Sequence, residues 1–251
     1  MTRFAGKAAL VTGGGSGIGR AIASALADEG AAVAVSGRDK DKLAATVDII
    51  RDKGGSAVAV PADVTNAGEV AAMVESTVRE LGGLHVAVNS AGVLPPGGQI
   101  ADIVEENWHA AMANVTGTWL SMKYEISHMR DNGGGAIINL SSAIGSQMTM
   151  PFTGAYATSK AGVSALTRTA AKEYISSGIR VNAVSPGPVE TPMSLLPGET
   201  EADRAARLAG ALPIGRAATV EEIASAVLWL AADESGFAVG HDLVLDGAAS
   251  N

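Results

Sequence analysis

The chain contains no cysteine, which excludes disulfide bonds, thiolate chemistry and cysteine-based metal sites. It has no block of lysine or arginine and carries a formal net charge of −8, which argues against a nucleic-acid surface. It also lacks a long hydrophobic run near its start, because the apolar stretch that ends at Val11 is much shorter than a membrane span and precedes no cleavage-site pattern. We expect a soluble, cytoplasmic protein without a membrane or nucleic-acid partner.

Two catalytic signatures are missing as well. The sequence has no G-x-S-x-G elbow that would present a nucleophilic serine, which disfavours a hydrolase. The histidines have no metal-ligand spacing, so no metal site is predicted. The four residues concerned are His85, His109, His128 and His241.

The sequence does have length and apolar content, since 251 residues that are 47% hydrophobic suffice for one large α/β domain. Apolar runs alternate with segments of helical periodicity, which is the pattern of βαβ units around a parallel sheet. No linker or repeat interrupts them, so residues 1–251 are predicted to form a single, doubly wound α/β domain, Rossmann-like, with helices on both faces of the sheet. Strands are predicted at residues 8–11, 31–35, 57–60, 85–88, 136–140, 180–184 and 243–245, and helices from residue 18 and at 69–81 and 108–130.

A glycine-rich loop follows the first predicted strand, where the sequence TGGGSGIGR occupies residues 12–20 and precedes a helix. A strand, a glycine turn and a helix N-terminus together bind a dinucleotide pyrophosphate, because backbone N–H groups and the helix dipole face the anion. The glycines at Gly13, Gly17 and Gly19 give the spacing G-x-x-x-G-x-G and not the stricter G-x-G-x-x-G. We predict a dinucleotide site here and keep a plain tight turn as the alternative.

The choice between NADP and NAD depends on residues just beyond the second strand. Arg38 there is suited to pair with a ribose 2′-phosphate, and Ser16 in the glycine loop can add a hydrogen bond. Asp39 occupies about the position at which an acidic residue would bind a ribose 2′-hydroxyl, but its place beyond the strand end favours a solvated side chain or a helix cap. The sequence favours NADP(H) and leaves NAD(H) open.

Tyr156 and Lys160 lie four positions apart, which places them on one face of a helix. An ammonium beside a phenol stabilises the phenolate. A free tyrosine titrates near pH 10, so acid–base work near neutrality requires its pKa to fall by about 3 units. Such a pair alone is weak evidence, because many Tyr-x-x-x-Lys pairs lie on solvated helix faces.

Further motifs follow in order: NSAG at residues 89–92, Asn114 in the long helix, Ser141 and Ser142 after the fifth strand, and PGPVETP at 186–192. Together with the glycine loop and the Tyr156–Lys160 pair, they resemble the short-chain dehydrogenase/reductase family over nearly the whole chain.

This resemblance implies catalytic roles for four residues. Tyr156 would be the general acid of carbonyl reduction and the base of the reverse reaction, and Lys160 would lower its pKa and bind the nicotinamide ribose. Ser142, chosen over Ser141 by pattern, would polarise the substrate carbonyl, and Asn114 would support a water-linked proton relay to the lysine.

The resemblance also extends the cofactor site, with Asp63 and Val64 beside the adenine, Asn89, Ala91 and Gly92 supporting the adenosine side, and Thr191 near the nicotinamide carboxamide. The complete set of expected cofactor-binding residues is Gly13, Gly15, Ser16, Gly17, Ile18, Gly19, Arg38, Asp63, Val64, Asn89, Ala91, Gly92, Tyr156, Lys160, Pro186, Gly187, Val189 and Thr191.

A substrate lid is expected at about residues 192–213. Its apolar side chains, with Met148, Met150 and Phe152 opposite, favour a partly apolar ketone or secondary alcohol, unless they only pack the lid. An alternative is a 3-oxoacyl-thioester reductase that meets an acidic carrier protein. The segments 131–135 and 176–178, taken as the mouth of the site, are not basic, which disfavours it.

An alternative of another class is a non-catalytic, nucleotide-binding regulatory protein, against which the intact catalytic set argues. The resemblance further implies a homo-oligomer, with a tetramer favoured, formed through the helices that contain Trp108 and Tyr156.

Overall fold

The computed structural model describes residues 2–251, which form one sheet of seven strands with helices on both faces. The strands are β1 Ala8–Thr12, β2 Ala32–Gly37, β3 Ser56–Pro61, β4 Val86–Asn89, β5 Gly135–Leu140, β6 Ile179–Pro186 and β7 Asp242–Leu245. They lie in the order β3-β2-β1-β4-β5-β6-β7, and all neighbours are parallel. The predicted doubly wound, Rossmann-like fold in a single domain is confirmed.

The helices pack in two layers, one on each face of this sheet. Their bounds are α1 Gly17–Asp28, α2 Lys40–Asp52, α3 Ala67–Leu81, α4 Glu105–Asp131, α5 Ala143–Ser146, α6 Gly154–Tyr174, α7 Glu201–Ala211 and α8 Val220–Ala231. Helices α1, α2 and α8 share one hydrophobic core, and α3, α4 and α6 share the other. The segment α5 is one irregular turn, because Ile144 and Gly145 do not have helical φ and ψ angles.

Strand residues alternate between the two cores. In β1, Ala9 and Val11 pack with the α1 layer, whereas Leu10 between them packs with the α4 layer. Both faces of β1 are therefore covered, and each of its residues is buried. This explains why the strands are near-continuous apolar runs in the sequence and do not alternate with polar residues.

All strands end at the same edge of the sheet, which we call the carboxyl edge. The chain order reverses at β1, since β2 and β3 lie on one side of it and β4 to β7 on the other. The loops that follow β1 and β4 therefore diverge and leave a crevice at the carboxyl edge, where doubly wound sheets bind their ligands.

Helix α4 starts at Glu105, three residues before the predicted start. Val104 is its N-cap, and Glu105 and Glu106 place negative charge in the first turn, where it stabilises the helix dipole. Although α4 has 27 residues, neither it nor any other helix in residues 2–251 is sufficiently long and apolar to span a membrane.

No bounds were predicted for helices α2, α7 and α8, although the sequence contains their start signals. Asp39 is the N-cap of α2, where its carboxylate accepts a hydrogen bond of 3.1 Å from the backbone N–H of Lys42. The other two begin with capping boxes that pair a threonine with an acidic residue three positions later. These pairs are Thr200 with Asp203 and Thr219 with Glu222.

Candidate active site

The glycine loop between β1 and α1 forms a tight turn at the carboxyl edge. Gly13 and Gly17 have φ angles of 68° and 49°, in the left-handed region that favours glycine. A Cβ atom at Gly13 would lie 2.9 Å from the backbone of Ala91, and one at Gly19 would collide with the carbonyl oxygen of Gly13. Glycine is therefore required here, because the loop after β4 and the start of α1 both pack directly against this turn.

The start of α1 provides hydrogen-bond donors for an anion. Ser16 is the N-cap, and its exposed hydroxyl makes no capping hydrogen bond. The first-turn N–H groups of a helix have no intrahelical partner, and the positive end of the helix dipole lies beside them. Ile18 holds this turn in place by packing against the core. The geometry fits the diphosphate of a dinucleotide.

Arg38 and Asp39 follow β2 but have different surroundings. The backbone and side chain of Thr65 lower the pKa of Asp63 by hydrogen bonding, and the charge of Arg38 contributes in the same direction. Arg38 is thus an exposed cation near the end of β3. Asp39, in contrast, caps α2 and lies 3.2 Å from Lys42, measured from Oδ2 to Nζ. The carboxylate of Asp39 is therefore already engaged.

The side chain of Asn89 does not face the crevice, and its support of the adenosine side stays a prediction. It is 3% exposed, and its Nδ2 donates hydrogen bonds of 3.0 Å to Glu125 Oε2 and to Asn139 Oδ1. Asn89 therefore links the ends of β4 and β5 to α4 inside the protein. The next residues do reach the crevice, where the N–H of Ala91 donates to Thr12 Oγ1 at 3.3 Å.

Asn114 fixes the loop that follows β4. Its Oδ1 accepts a hydrogen bond from the N–H of Val93 at 2.8 Å, and its Nδ2 donates to Val93 O at 3.0 Å and to Ser159 Oγ at 3.1 Å. A Cβ atom at Gly92 would lie 3.3 Å from Asn114 Oδ1 and 3.5 Å from Lys160 Nζ. The structure thus brings Asn114, Gly92 and Lys160 together, and the amide of Asn114 has a structural task beside any role in a relay.

Ser142, Tyr156 and Lys160 meet where β5 ends and α6 begins. The side chain of Ser142 accepts a hydrogen bond of 3.2 Å from the N–H of Ile144 and is close enough to Tyr156 to lower the pKa of its phenol, whereas the hydroxyl of Ser141 donates to Lys160 O at 2.8 Å. Of the two adjacent serines, Ser142 is therefore the one beside the phenol. The Nζ atom of Lys160 lies 5.9 Å from the centre of the Tyr156 ring and donates to Leu140 O at 2.8 Å.

Burial dominates the protonation of this group. It lowers the pKa of Lys160 to about 8 and raises the pKa of Tyr156, an increase that the side-chain interaction with Ser142 partly offsets. The expected decrease in the pKa of Tyr156 is therefore not what these side chains produce by themselves. Burial therefore favours the neutral phenol of Tyr156, which is a proton donor.

The segment after β6 closes the crevice from the other side. Gly187 passes close to β7, because a Cβ atom there would lie 2.8 Å from Asp246 Cα, and Val189 is anchored in the core at 4% exposure. The methyl group of Thr191 lies 3.4 Å from the position that a Cβ atom of Gly17 would occupy. The segment that begins at Pro186 therefore reaches the glycine loop and packs against it at Gly17.

The expected lid, residues 192–213, contains α7, which two arginines connect to the segment before it. Arg204 Nη1 donates to Thr191 O and to Ser194 Oγ, both at 3.2 Å. Arg207 binds Glu199 with two hydrogen bonds of 2.7 and 2.8 Å and donates to Ser194 O at 3.0 Å. The position of α7 is thus coupled to Thr191.

Exposed apolar side chains come from three segments that follow strands at the carboxyl edge. The part of the segment between β4 and α4 that follows Gly92 was not predicted to line the site, although its sequence PPGG signalled a shaped loop. It contacts the segment before α6, where the N–H of Gly98 donates to Phe152 O at 3.1 Å. We call the set the apolar rim; it comprises Leu94, Met150, Phe152, Met193 and Leu196, each 46–60% exposed.

The segments 131–135 and 176–178 do not lie at the mouth of the site, so that prediction was wrong. They precede β5 and β6 and therefore lie at the opposite edge of the sheet, where the N–H of Gly135 donates to Gly178 O at 3.1 Å. Their lack of basic residues consequently carries no information about a carrier protein.

Comparison with known proteins gives the family. The fold and this set of residues are those of a dinucleotide-binding oxidoreductase. The family model described as "Enoyl-(Acyl carrier protein) reductase" matches residues 13–249. The chain belongs to the short-chain dehydrogenase/reductase family, whose members use NAD or NADP.

Its relatives match over almost the whole chain. Cis-4-hydroxycyclohexanecarboxylate dehydrogenase of Sinomonas cyclohexanicum is 41% identical, covering 97% of this chain and 96% of that protein. Cyclohexanol dehydrogenase of Acinetobacter sp. (strain SE19) is 38% identical, covering 98% and 96%. The crystal structure of a short-chain type dehydrogenase/reductase from Mycobacterium marinum superimposes with a TM-score of 0.92 at 37% identity, covering 98% and 96%.

Proposed function

We propose that this protein is an NADP-linked oxidoreductase that interconverts an alicyclic secondary alcohol and its ketone. The observation that carries the proposal is the convergence of Ser142, Tyr156 and Lys160 beside Gly92, at the crevice that the glycine loop borders. These residues supply a hydroxyl, a phenol and an ammonium. Such a set suits proton transfer coupled to the transfer of a hydride.

The bound nicotinamide supplies or accepts the hydride, which leaves orientation and proton transfer to the protein. Ser142 would donate a hydrogen bond to the substrate oxygen, and Tyr156 would give that oxygen a proton during ketone reduction. The negative charge that develops on the oxygen is then stabilised by two donors. Lys160 would stabilise the phenolate that remains, which matters because burial disfavours a charged phenol.

Alcohol oxidation uses the same atoms in reverse. Tyr156 would take the hydroxyl proton as the phenolate, so this direction requires the phenol to be deprotonated before the C–H bond breaks. The ammonium of Lys160 favours that state while it remains protonated. The hydrogen bonds of Asn114 to Val93 would keep the adjoining loop, and with it Gly92, in register with Lys160.

The cofactor assignment is supported by charge. Arg38 is an exposed cation at the end of β2, and the hydroxyl of Ser16 makes no capping hydrogen bond, so both can receive a 2′-phosphate. The competing reading, in which Asp39 binds a 2′-hydroxyl, is disfavoured because Asp39 caps α2 and pairs with Lys42. We therefore favour NADP over NAD.

The substrate class is supported by the apolar rim and by the relatives. A small apolar ring that carries one hydroxyl group suits a site with apolar side chains around a few hydrogen-bond donors. Two relatives are named for cyclohexane-derived alcohols, cyclohexanol itself and 4-hydroxycyclohexanecarboxylate. We infer a six-membered carbocyclic alcohol or ketone as the substrate class for this chain.

A 3-oxoacyl-thioester reductase is the second candidate, because the description of the matching family model names an acyl-carrier-protein substrate. A carrier protein is acidic and needs a basic surface beside the mouth. In the lid, Arg207 is already paired with Glu199, Arg204 is buried against Thr191 and Ser194, and the rim is apolar. We therefore rank this reaction second.

Assembly into a homo-oligomer, with a tetramer favoured, is part of the proposal. Trp108 and Trp119 on α4 are 40% and 49% exposed. Large aromatic side chains that are exposed on one helix indicate a surface that another protein chain covers. Light scattering at micromolar concentration is expected to give four times the mass of one chain. A monomer would contradict the proposed assembly. The cytoplasmic location of the protein stays a prediction from the sequence.

The experiment that tests the function is a turnover assay of the purified protein with cyclohexanol and with cyclohexanone, each with the NADP and the NAD couple. A 3-oxoacyl thioester serves as the comparison substrate. Turnover of the cyclic pair with the NADP couple is expected to exceed the others. Faster thioester reduction would favour the second candidate, and nucleotide binding without turnover of any substrate would favour a non-catalytic, regulatory protein.

A further inference from the structure

Three serine hydroxyls from different elements lie within hydrogen-bond distance of the carboxylate of Asp242, the first residue of β7. Its Oδ1 accepts a hydrogen bond of 2.6 Å from Ser185 on β6, and its Oδ2 accepts one of 2.6 Å from Ser164 on α6. Ser146 in α5 lies 3.3 Å from Oδ2. One half-buried carboxylate therefore joins the edge strand of the sheet to the segment after Ser142 and to the helix of Lys160.

The hydrogen bonds continue from Asp242 to the catalytic set. Ser164 Oγ lies 2.9 Å from Ser141 Oγ, and Ser141 Oγ lies 2.8 Å from Lys160 O. Ser164 is fully buried and Ser141 is 4% exposed, so water does not substitute for these contacts. Ser141 directly precedes Ser142. This series of hydrogen bonds therefore connects Asp242 to the backbone at Ser142 and at Lys160.

The hydrogen bonds to Asp242 set the direction of this network. The carboxylate oxygens accept, so Ser164 and Ser185 donate to them. The single proton of Ser164 is then used, and its oxygen becomes an acceptor for Ser141. Ser141 in turn has one proton to share between Ser164 Oγ and Lys160 O. The carboxylate thereby fixes hydroxyl groups that would otherwise rotate.

The segment that holds Ser142 has a close contact with α6 that leaves it little freedom. At Gly145 the φ angle is 141°, and a Cβ atom would lie 2.9 Å from Ala161 N and 3.0 Å from Ala157 O. The backbone of α5 therefore rests directly on the turn of α6 that contains Lys160. A shift of this segment changes the distance between Ser142 and the pair on α6.

We propose that Asp242 is a positioning residue that aligns Ser142 with Tyr156 and Lys160 through Ser164 and Ser141. The inference rests on the proposed function of Ser142 and Lys160. Removal of the carboxylate loosens α5 against α6 without touching the substrate or the nucleotide. Misplacement of reacting groups by a fraction of an ångström to an ångström lowers rates by about tenfold to a hundredfold while binding persists.

The test uses the full-length protein, with Asp242→Ala, Ser164→Ala and the double variant. Asp242→Ala and Ser164→Ala are each expected to lower kcat by about tenfold or more, with KM for alcohol and cofactor within about twofold of wild type. The double variant is expected to be no slower than the slower single variant, because both changes break one chain of hydrogen bonds. Additive losses would contradict the proposal.

Two further variants separate positioning from stability. Ser185→Ala removes a hydrogen bond to the same carboxylate on the side away from the catalytic set, so it should lower Tm and leave kcat unchanged. Asp242→Asn can accept from Ser185 and donate to Ser164, and it is expected to recover most of kcat even if Asp242→Ala does not fold. An equal loss of kcat in Ser185→Ala, or wild-type kcat in folded Asp242→Ala and Ser164→Ala, would overturn the assignment.

A failure of the proposed function is distinguishable from a failure of this inference. If wild type turns over no alcohol or ketone, the function itself is wrong. If wild type is active and Tyr156→Phe is not, the catalytic set is sound, and an unaffected kcat in the Asp242 and Ser164 variants then rejects the positioning role alone.

Discussion

The ammonium of Lys160 donates a hydrogen bond of 2.8 Å to the carbonyl oxygen of Leu140, the last residue of β5. This bond ties α6 to the strand end that leads into Ser141 and Ser142. Lys160 is 7% exposed, and no carboxylate in residues 2–251 forms an ion pair with it. A buried cation with only a carbonyl partner is poised to lose its proton, which agrees with its lowered pKa.

Lys160 should make the folded protein more stable as the pH rises. Its pKa falls from the ordinary 10.5 to about 8 on folding, so between these values the unfolded chain binds more protons. The free energy of unfolding of wild type, minus that of Lys160→Met, should therefore increase through this window by up to about 3 kcal/mol. Urea unfolding at several pH values measures the difference, and a flat or falling difference would reject the buried ammonium.

Glu125 should have the opposite dependence. Burial raises the pKa of Glu125 from 4.5 to about 7, although a hydrogen bond from Asn89 opposes the increase. Between these pH values the folded protein therefore binds more protons than the unfolded chain. Wild type should then lose stability as the pH rises from about 4.5 to 7, by as much as about 3 kcal/mol relative to Glu125→Gln.

The Glu125→Gln variant keeps the shape and an acceptor for Asn89 but has no charge to bury. Its advantage over wild type in urea unfolding should be absent in acid, grow between about pH 4.5 and 7, and be complete above pH 7. A variant that is equally less stable at every pH would mean that the carboxylate is stabilised by partners other than Asn89.

Phe152 has a φ angle of 68°, as does Ala248, and neither residue is glycine. A left-handed conformation destabilises the fold by about 1–2 kcal/mol for a non-glycine residue. A change to glycine removes this strain but also increases the conformational entropy of the unfolded chain, so the net gain in stability is smaller. Phe152→Gly and Ala248→Gly should therefore both keep or slightly raise Tm. Only Phe152→Gly should raise KM for cyclohexanol, because only Phe152 belongs to the apolar rim. An equal effect on KM in both variants would remove Phe152 from the substrate site.

Arg38 should discriminate between the two cofactors. Arg38→Ser removes a charge-assisted hydrogen bond to a 2′-phosphate and should weaken NADPH binding by about tenfold to a hundredfold with NADH unchanged. The matched control is Asp39→Asn, which keeps an N-cap for α2 and removes the neighbouring charge. Fluorescence titration measures both. Weaker NADH binding in Asp39→Asn would instead assign the ribose 2′-hydroxyl to Asp39.

Local features of the site could be predicted from the sequence. The glycine loop is specified by residue type at a strand–helix junction, and Tyr156 and Lys160 are neighbours by helical spacing alone. The strands were predictable because both faces of the sheet are buried. The capping boxes of α7 and α8 were equally local, so those helices could have been predicted too.

Long-range features could not be predicted in this way. Whether Asn89 faces the crevice or the interior depends on Glu125, which is 36 positions later on another element. The gathering of Ser164 and Ser185 around Asp242 spans 78 and 57 positions. The error over 131–135 had a different cause, since a loop that precedes a strand lies at the amino end of the sheet and the sequence order already implied that edge.

The most direct test of the account is the turnover of cyclohexanol by wild type and by Tyr156→Phe, measured together with NADPH binding. We predict that Tyr156→Phe lowers kcat by at least about a hundredfold, since the general acid–base is lost, while NADPH binds within about twofold of wild type. Turnover by Tyr156→Phe at the wild-type rate would contradict the central claim that this phenol transfers the proton.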